Sequence, residues 1–182
     1  MYERLPLTIL TGFLGSGKTT LLNVLLRDPA WADSAVVVNE LGEIGLDHLL
    51  VAEAKENIVL LEAGCLCCAV LDSLPETLAD LYSRRAMGDV PRFRRVLVET
   101  TGLADPAPII RTLMRDPMAS HFYQLQGVVC AVDAVFGEGA LRDYHEAQSQ
   151  VALADRLVVT KTDLVGGAVP AVSYTHLTLP TN

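Results

Sequence analysis

The chain has 182 residues, of which 51% are hydrophobic and 20% are charged, which is enough apolar material for one globular core and too little length for two. Its net charge of −8 leaves no basic excess for binding extended nucleic acid. Every apolar stretch is interrupted before the ~20 residues that a membrane helix requires, and the N-terminus lacks the pattern of a secretory signal. We therefore expect a soluble, cytoplasmic domain with neither nucleic acid nor membrane as a partner.

Short apolar, β-branched runs alternate along the chain with amphipathic segments. The first kind predicts buried strands at 5–10, 35–38, 58–61, 96–98, 127–132 and 157–159. The second kind predicts helices at 18–27, 74–85, 106–115 and 140–153, with Pro75 in the first turn of the second helix. Strands that are apolar on both faces and alternate with helices form a parallel sheet covered on both sides. The predicted fold is a three-layer α/β sandwich with a mainly parallel sheet.

The end of the chain departs from this alternation. After Leu164 the pattern calls for another helix and strand, but two glycines and a polar tail follow. The tail resembles a translated adapter sequence. We therefore expect residues 1–165 to form one domain that lacks its last elements, and 166–182 to be a non-native or disordered tail. His176 is left out of every functional argument for this reason.

Residues 12–19 read GFLGSGKT, a full match to the P-loop pattern, and they lie between a predicted strand and a predicted helix. Three glycines let successive N–H groups turn toward a phosphate, and these are Gly12, Gly15 and Gly17. Lys18 can reach the β and γ oxygens, and the Thr19 hydroxyl can ligate Mg²⁺. The positive end of the following helix favours the same anion. This segment predicts a nucleotide site.

A second motif, ETTG at 99–102, follows the fourth predicted strand. Glu99 can hold Mg²⁺ directly or through water, and the Gly102 amide can contact the γ-phosphate. The alternative for Glu99 is a surface carboxylate that ends a strand. Leu103 stands where small GTPases usually keep a glutamine that orients water. We therefore expect slow unstimulated hydrolysis.

A third motif, TKTD at 160–163, follows the last predicted strand. In a guanine-reading loop the carboxylate, here Asp163, accepts two hydrogen bonds from the base edge, and the stem of the lysine, here Lys161, packs over the ring. Paired polar contacts of this kind discriminate strongly against adenine. Thr160 replaces the more familiar asparagine, which ties the base loop to the P-loop. We therefore expect a reduced affinity for the base.

Three cysteines, Cys65, Cys67 and Cys68, follow the third predicted strand. Thiolates select Zn²⁺, Cu(I) or a zinc-like Co²⁺, and the first two cysteines project to the same side of an extended segment. A redox disulfide between those two, or cysteines that only fill space, are the alternatives. Cys130 lies in an apolar run and is expected in the core. Further ligand candidates are His48, His121 and His145.

The segment 39–47, NELGEIGLD, has two glycines and three carboxylates and is expected to be a mobile acidic loop. Close to a Mg²⁺-nucleotide, Glu40 or Asp47 can sense the γ-phosphate through the metal, as switch segments do. The alternative is a solvent-exposed turn.

In this order, GFLGSGKTT, NELGEIGLD, GCLCC, ETTGLADP and TKTD resemble the CobW-type members of the G3E group of P-loop GTPases, over approximately 5–165. The resemblance implies a P-loop GTPase that binds zinc or cobalt at the cysteine motif and delivers it to a client protein, with GTP as the switch. It also implies phosphate and Mg²⁺ contacts along Gly15, Ser16, Gly17, Lys18, Thr19 and Thr20, guanine contacts at Lys161 and Asp163, and Glu99 as the acid of the second motif. Ala63 stands where the family often has asparagine, and we expect the family's C-terminal domain to be absent from these 182 residues.

The resemblance leads to a mechanism in which GTP and Mg²⁺ order residues 39–47 and 99–105 and so bring the thiolates into ligating geometry. Hydrolysis then relaxes these segments and releases the metal. Expected partners are a guanine nucleotide, a transition metal ion, a client metalloprotein and, in one nucleotide state, a second copy of the chain. Two alternatives stay open, a P-loop ATP-dependent small-molecule kinase and a non-enzymatic metal-buffering fragment.

Overall fold

The computed structural model describes residues 4–38, 59–62 and 70–165. Within these residues six strands form one sheet, with bounds β1 Leu5–Thr11, β2 Ser34–Val38, β3 Val59–Glu62, β4 Arg95–Glu99, β5 Tyr123–Asp133 and β6 Arg156–Thr160. Their spatial order is β3-β2-β4-β1-β5-β6. Every pairing among them is parallel, as the alternation of apolar and amphipathic segments predicts.

The described residues also form six α-helices, α1 Lys18–Arg27, α2 Val70–Met87, α3 Pro106–Arg115, α4 Pro117–Phe122, α5 Gly137–Asp143 and α6 His145–Ala152. Short 3₁₀ turns occupy Pro29–Trp31 and Thr162–Leu164. Among these helices, none combines the length and the apolar character needed to cross a bilayer.

Helices cover both faces of the sheet. Successive side chains of a strand point to opposite sides, so β1 contributes to a buried cluster on each face. On one face Ile9 of β1 lies in a buried cluster with Leu78 of α2 and Ile109 of α3. On the other face Leu10 lies in a second cluster with Leu22 of α1. The predicted three-layer α/β fold is therefore confirmed.

The sheet order brings four loops together at one edge. Parallel strands all end at the same edge, which is where open α/β sheets bind ligands. In the register of β1, Leu10 pairs with Glu99 of β4 and Thr11 pairs with Cys130 of β5. Thr160, at the end of β6, pairs with Asp133. The segments that follow these strands therefore meet around the start of α1.

The prediction of one helix at 140–153 is wrong, because two helices occupy this region. Tyr144 separates α5 from α6 and has an extended backbone, with φ −127° and ψ 124°. Its ring lies against the ring of Phe13, with centroids 4.6 Å apart. The apolar pattern continues across the break, so the break is set by this contact with a distant part of the chain.

Two further helices differ from the predictions. Helix α2 begins at Val70, so Pro75 lies inside it and the predicted first-turn position is wrong. The missing N–H of a proline weakens a helix at that point, and burial of Leu78 and Leu81 against the sheet offsets this cost. Helix α4 was not predicted, although Asp116 caps it by accepting a hydrogen bond from the Ala119 N–H at 2.7 Å. Its six residues are too few for a periodic pattern.

Strand β5 starts at Tyr123, four residues before the predicted start at Gly127. Between Leu7 and Thr8 of β1 the register slips, where β5 passes from Leu125 to Gly127. Such a bulge leaves one extra residue on the longer strand. The first part of β5 also contains Gln124 and Gln126, which interrupt the apolar run by which a strand is predicted.

Candidate functional site

The P-loop connects β1 directly to α1. Lys18 is the first residue of α1, and the preceding Gly17 has φ 83°, a left-handed conformation that a side chain would strain. Lys18 is only 5% exposed, and its Nζ donates a hydrogen bond to the Phe13 carbonyl at 3.3 Å. Thr20 lies on the exposed side of α1. The loop thus has the strand and helix neighbours that the motif requires.

Gly12 opens the P-loop directly after β1, and its surroundings differ from those of Gly15. Gly12 has φ 145°, and a Cβ there would collide with the Ala131 carbonyl oxygen of β5 and lie 2.7 Å from Ser16 Oγ. A Cβ at Gly15 would meet no atom within 4 Å, although its φ of 69° is left-handed. Gly12 therefore lets the loop pass close to β5, whereas Gly15 serves the turn itself. A direct contact between either glycine and a nucleotide stays a prediction.

Thr19 and Glu99 meet beside this loop. The Thr19 hydroxyl donates to Glu99 Oε1 at 2.7 Å, and Glu99 is fully buried at the end of β4. The next residue, Thr100, fixes the strand end, since its N–H donates to the Leu10 carbonyl at 3.0 Å and its hydroxyl donates to Thr11 Oγ1 at 3.0 Å. The alternative of a surface carboxylate at Glu99 is therefore wrong.

Gly102 packs directly on the P-loop. A Cβ at this position would lie 2.8 Å from the backbone N and Cα of Leu14, closer than real side chains approach. The carbonyls of Gly102 and Ala104 both accept hydrogen bonds from Gln150 Nε2 of α6, at 3.1 and 3.0 Å. The turn at 102–104 is thus held between the P-loop and α6. Sequence reasoning missed Gln150, and its signal is a polar residue on the apolar face of a helix.

The TKTD motif also contacts the P-loop. Thr160 Oγ1 donates to the Ser16 carbonyl at 2.6 Å, so a threonine hydroxyl makes a tie between this motif and the P-loop where an asparagine is more familiar. Asp163 is exposed within the second 3₁₀ turn. The expected reduction in base affinity stays a prediction.

Asp133 is a further residue that sequence reasoning missed. It is 8% exposed, and its Oδ2 accepts a hydrogen bond from Lys161 Nζ at 2.6 Å. Its Oδ1 accepts from the N–H groups of Val135 and Phe136, at 2.7 and 3.1 Å. Burial by itself would raise the pKa of Asp133, but these hydrogen bonds and the charge of Lys161 outweigh it and hold the pKa below its ordinary value. The carboxylate therefore stays ionised and fixes the Lys161 ammonium.

Asp133→Asn is expected to lower the free energy of unfolding by about 1–3 kcal/mol near neutral pH, because the Lys161 ammonium loses its charged partner. The pKa of this group is lower in the folded state than in the unfolded chain, where it is about 3.9. Its contribution is therefore complete above the unfolded pKa and is lost as the pH falls through the folded pKa. Urea unfolding at several pH values between about pH 7 and about pH 2 measures both effects.

The matched control for this prediction is Asp143→Asn, at the exposed end of α5. It should leave the free energy of unfolding almost unchanged near neutral pH, because the side chain is exposed. A stability difference between Asp133→Asn and the unsubstituted protein that stays constant down to the lowest pH would contradict the prediction.

A cavity of about 480 Å³ lies between the P-loop and helices α5 and α6. Its lining is mainly apolar and includes Phe13, Phe136, Tyr144, Ala147, Gln150 and Val151. Direct packing between α6 and the P-loop is therefore incomplete on this side.

The metal-site predictions fall mostly outside the described residues. Cys65, Cys67, Cys68, Glu40, Asp47 and His48 all lie there, and in the ranges that are described no group of three or more potential ligands occurs. His121 lies in the last turn of α4, just before β5 begins at Tyr123, and so lies at the opposite edge of the sheet from the P-loop, whereas His145 is exposed at the start of α6. Cys130 is buried, as predicted, and burial raises the pKa of its thiol to about 12.

A glycine-rich loop between β1 and α1 and a buried acid at the end of the neighbouring strand, on an all-parallel sheet, define the P-loop class of α/β nucleotide-binding proteins. Residues 6–177 match the family model described as "cobW: CobW/HypB/UreG, nucleotide-binding domain". The chain belongs to this family, and the resemblance inferred from the motifs is confirmed.

Two curated relatives and one solved structure illustrate the match. The zinc chaperone YjiA of Escherichia coli (strain K12) is 41% identical over 164 residues, which cover 90% of this chain and 51% of YjiA. The zinc-regulated GTPase metalloprotein activator 1 of Schizosaccharomyces pombe is 34% identical over 177 residues, which cover 93% of this chain and 42% of the relative. A crystal structure of Zn(II)-bound YjiA GTPase from E. coli has a TM-score of 0.69 at 35% identity, over 90% of this chain and 51% of that one. The chain thus spans about half the length of the relatives it matches.

Proposed function

We propose that residues 1–165 are the nucleotide-binding domain of a GTP-hydrolysing metallochaperone, which binds zinc or cobalt at Cys65, Cys67 and Cys68 and transfers it to a client protein under nucleotide control. Membership in the family and the names of the relatives, a zinc chaperone and a zinc-regulated GTPase, support this function. A client metalloprotein and, in one nucleotide state, a second copy of the chain are the proposed protein partners.

The proposal rests most on one contact, the 2.7 Å hydrogen bond between Thr19 and Glu99, which joins the first and second motifs at the mouth of the P-loop. A hydroxyl and a carboxylate are the oxygen donors that Mg²⁺ prefers. Thr19 and Glu99 would hold Mg²⁺, with Glu40 as a third candidate, and the bound ion would neutralise charge on the phosphates. Lys18 and the N–H groups of the P-loop, which begins at Gly12, would bind the phosphates themselves.

Recognition of guanine is assigned to Lys161 and Asp163. The Lys161 ammonium is fixed by Asp133, so its aliphatic stem can serve as a rigid platform for a base. Thr160 joins this loop to the P-loop through Ser16 and so links the base contacts to the phosphate contacts. Asp163 would accept two hydrogen bonds from guanine that adenine cannot supply.

The metal site is proposed on the same edge of the sheet. The paired row that includes Leu10 and Glu99 continues through Val38 of β2 to Glu62, the last residue of β3. Neighbouring strands are ~4.8 Å apart, so Glu62 ends ~15 Å from Leu10. Cys65 follows Glu62 by three residues, and a connection of that length spans at most ~10 Å. Because Cys65 follows so closely after a strand end near the P-loop, we expect communication between the thiolates and the nucleotide.

Hydrolysis is proposed to be slow without a stimulating partner. Leu103 follows Gly102 and is 55% exposed, and its apolar side chain cannot orient an attacking water. Steady-state turnover of several per second in the isolated protein would contradict this part of the proposal.

The decisive experiment is a zinc titration of the protein with GDP and with a nonhydrolysable GTP analogue. We expect the zinc affinity to differ by roughly 5-fold to 150-fold between the two states, the usual range of allosteric coupling. Serine at positions 65 and 67 should abolish this binding, whereas Cys130→Ala, a change in the core, should leave it intact. Equal zinc affinities in both states would indicate a metal buffer without nucleotide control.

Competition binding with ATP tests the nucleotide half of the proposal. GTP should displace bound GDP, and ATP should fail at the same concentration because it lacks the donors that Asp163 requires. Preference for ATP would overturn the proposal and favour the small-molecule kinase.

A further inference from the structure

Gln150 is a polar residue in an apolar position of α6. It is fully buried, and its neighbours Ala147 and Val151 on the same helix face are buried as well. Burial of an amide is unfavourable unless hydrogen bonds replace those that it makes with water. A residue of this kind therefore needs an account beyond filling the core.

The hydrogen bonds of Gln150 are directed at one short turn. Nε2 donates to the carbonyls of Gly102 and Ala104, and because both partners are acceptors, the nitrogen end of the amide is assigned without ambiguity. Within the part of the chain that the structure describes, Oε1 is buried and makes no hydrogen bond. A methionine would fill the same volume without burying that oxygen, so the distinctive contribution of Gln150 is its N–H group.

The turn that Gln150 holds has two neighbours. On one side Gly102 lies so close to Leu14 of the P-loop that a Cβ would meet its backbone at 2.8 Å. On the other side, α6 is separated from the P-loop by the cavity of about 480 Å³. The two amide hydrogen bonds join α6 directly to this turn, which itself packs on the P-loop, so the turn connects α6 to the P-loop where the cavity separates them.

We propose that Gln150 is a positioning residue for nucleotide hydrolysis, which holds Gly102 so that its N–H faces the γ-phosphate of GTP. This inference rests on the nucleotide site in the proposed function. GDP has no γ-phosphate, so the contribution of Gln150 is confined to the triphosphate state. The helix that bears Gln150 thereby senses which nucleotide is bound.

The test compares Gln150→Met with Gln148→Met. Gln148 is on the same helix, is exposed, and also donates through Nε2 to a backbone carbonyl, that of Leu141 at 2.8 Å. For Gln150→Met we expect a roughly 10-fold weaker affinity for a GTP analogue, GDP affinity within about 2-fold of the unsubstituted protein, and single-turnover hydrolysis slowed by at least about 10-fold. Gln148→Met should change none of these values.

A merely structural role gives a different pattern. It predicts an equal loss of GDP and GTP-analogue affinity, and that result would overturn the proposal, whereas a lower melting temperature is expected in both cases because two buried carbonyls lose their donor. Hydrogen exchange at the Gly102 amide of the unsubstituted protein provides a second measurement if Gln150→Met does not fold. Slower exchange with the GTP analogue than with GDP supports the proposal, and equal exchange overturns it. Failure of the unsubstituted protein to bind either nucleotide would instead overturn the proposed function.

Discussion

Lys18→Met is expected to weaken binding of GDP and GTP by roughly 30-fold to several thousand-fold, the cost of about 2–5 kcal/mol for removing one partner of a buried charge pair. Lys18 is 5% exposed and is the first residue of α1, where the helix dipole also favours an anion. Methionine keeps most of the side-chain volume and removes the charge. Calorimetric titration with each nucleotide measures the loss, and thermal unfolding without nucleotide shows whether the variant is folded.

Arg27→Met is the matched control for Lys18→Met. Arg27 is exposed and ends the same ten-residue helix, about 13 Å along its axis from Lys18. At physiological ionic strength exposed charges are screened beyond about 8 Å, so this variant should bind nucleotide almost normally although it has the same net charge. Equal losses in both variants would show that total charge, rather than the P-loop, determines affinity.

Gly102→Ala is expected to slow GTP hydrolysis by roughly 100-fold to 1,000-fold, the usual effect of losing one preorganised donor to a developing charge. The added Cβ would lie 2.8 Å from the Leu14 backbone, so the 102–104 turn and the P-loop must separate. We expect GDP binding to change by less than about 5-fold, since GDP lacks the phosphate that Gly102 is assigned to contact. Single-turnover hydrolysis and GDP titration separate the two effects.

Gly139→Ala on α5 is the control for Gly102→Ala, because a Cβ at Gly139 would meet no atom within 4 Å. It should leave hydrolysis unchanged and stabilise the protein by about 0.5–1 kcal/mol through the better helix propensity of alanine. Normal hydrolysis in Gly102→Ala would rule out a role for this close approach.

Helices α1 and α3, whose starts have local signals, were predicted to the residue. Helix α1 begins after the left-handed Gly17, and α3 begins with Pro106 after Asp105, whose Oδ1 accepts the Ala107 N–H at 2.9 Å. A left-handed glycine, a capping aspartate and an N1 proline act within one turn of the chain. Such signals can therefore mark the start of a helix without knowledge of the fold when a periodic apolar pattern follows, which the six residues of α4 are too few to show.

Features that depend on distant partners could not be predicted in the same way. Tyr144 interrupts a continuous helical pattern because it packs on Phe13. Asp133 is the last residue of β5, and its hydrogen bond with Lys161 joins residues that are 28 positions apart. Gln150 stands out in the sequence only as a polar residue on the apolar face of α6, and its partners are known only once α6 is placed beside the turn at Gly102. The motifs indicated which segments meet. The contacts of Tyr144, Asp133 and Gln150, which hold those segments in place, are visible only in the coordinates.

The position of β1 in the sheet has a consequence for biosynthesis. Its two neighbours come late in the chain, since Leu7 pairs with Val96 and Leu5 pairs with Tyr123. Contacts between residues so far apart in sequence slow folding, and domains emerge from the ribosome from the amino terminus onward. The P-loop therefore emerges from the ribosome before Glu99 has been translated. We therefore expect the proposed nucleotide to stabilise this domain only after the sheet has assembled, rather than to template the early steps of folding.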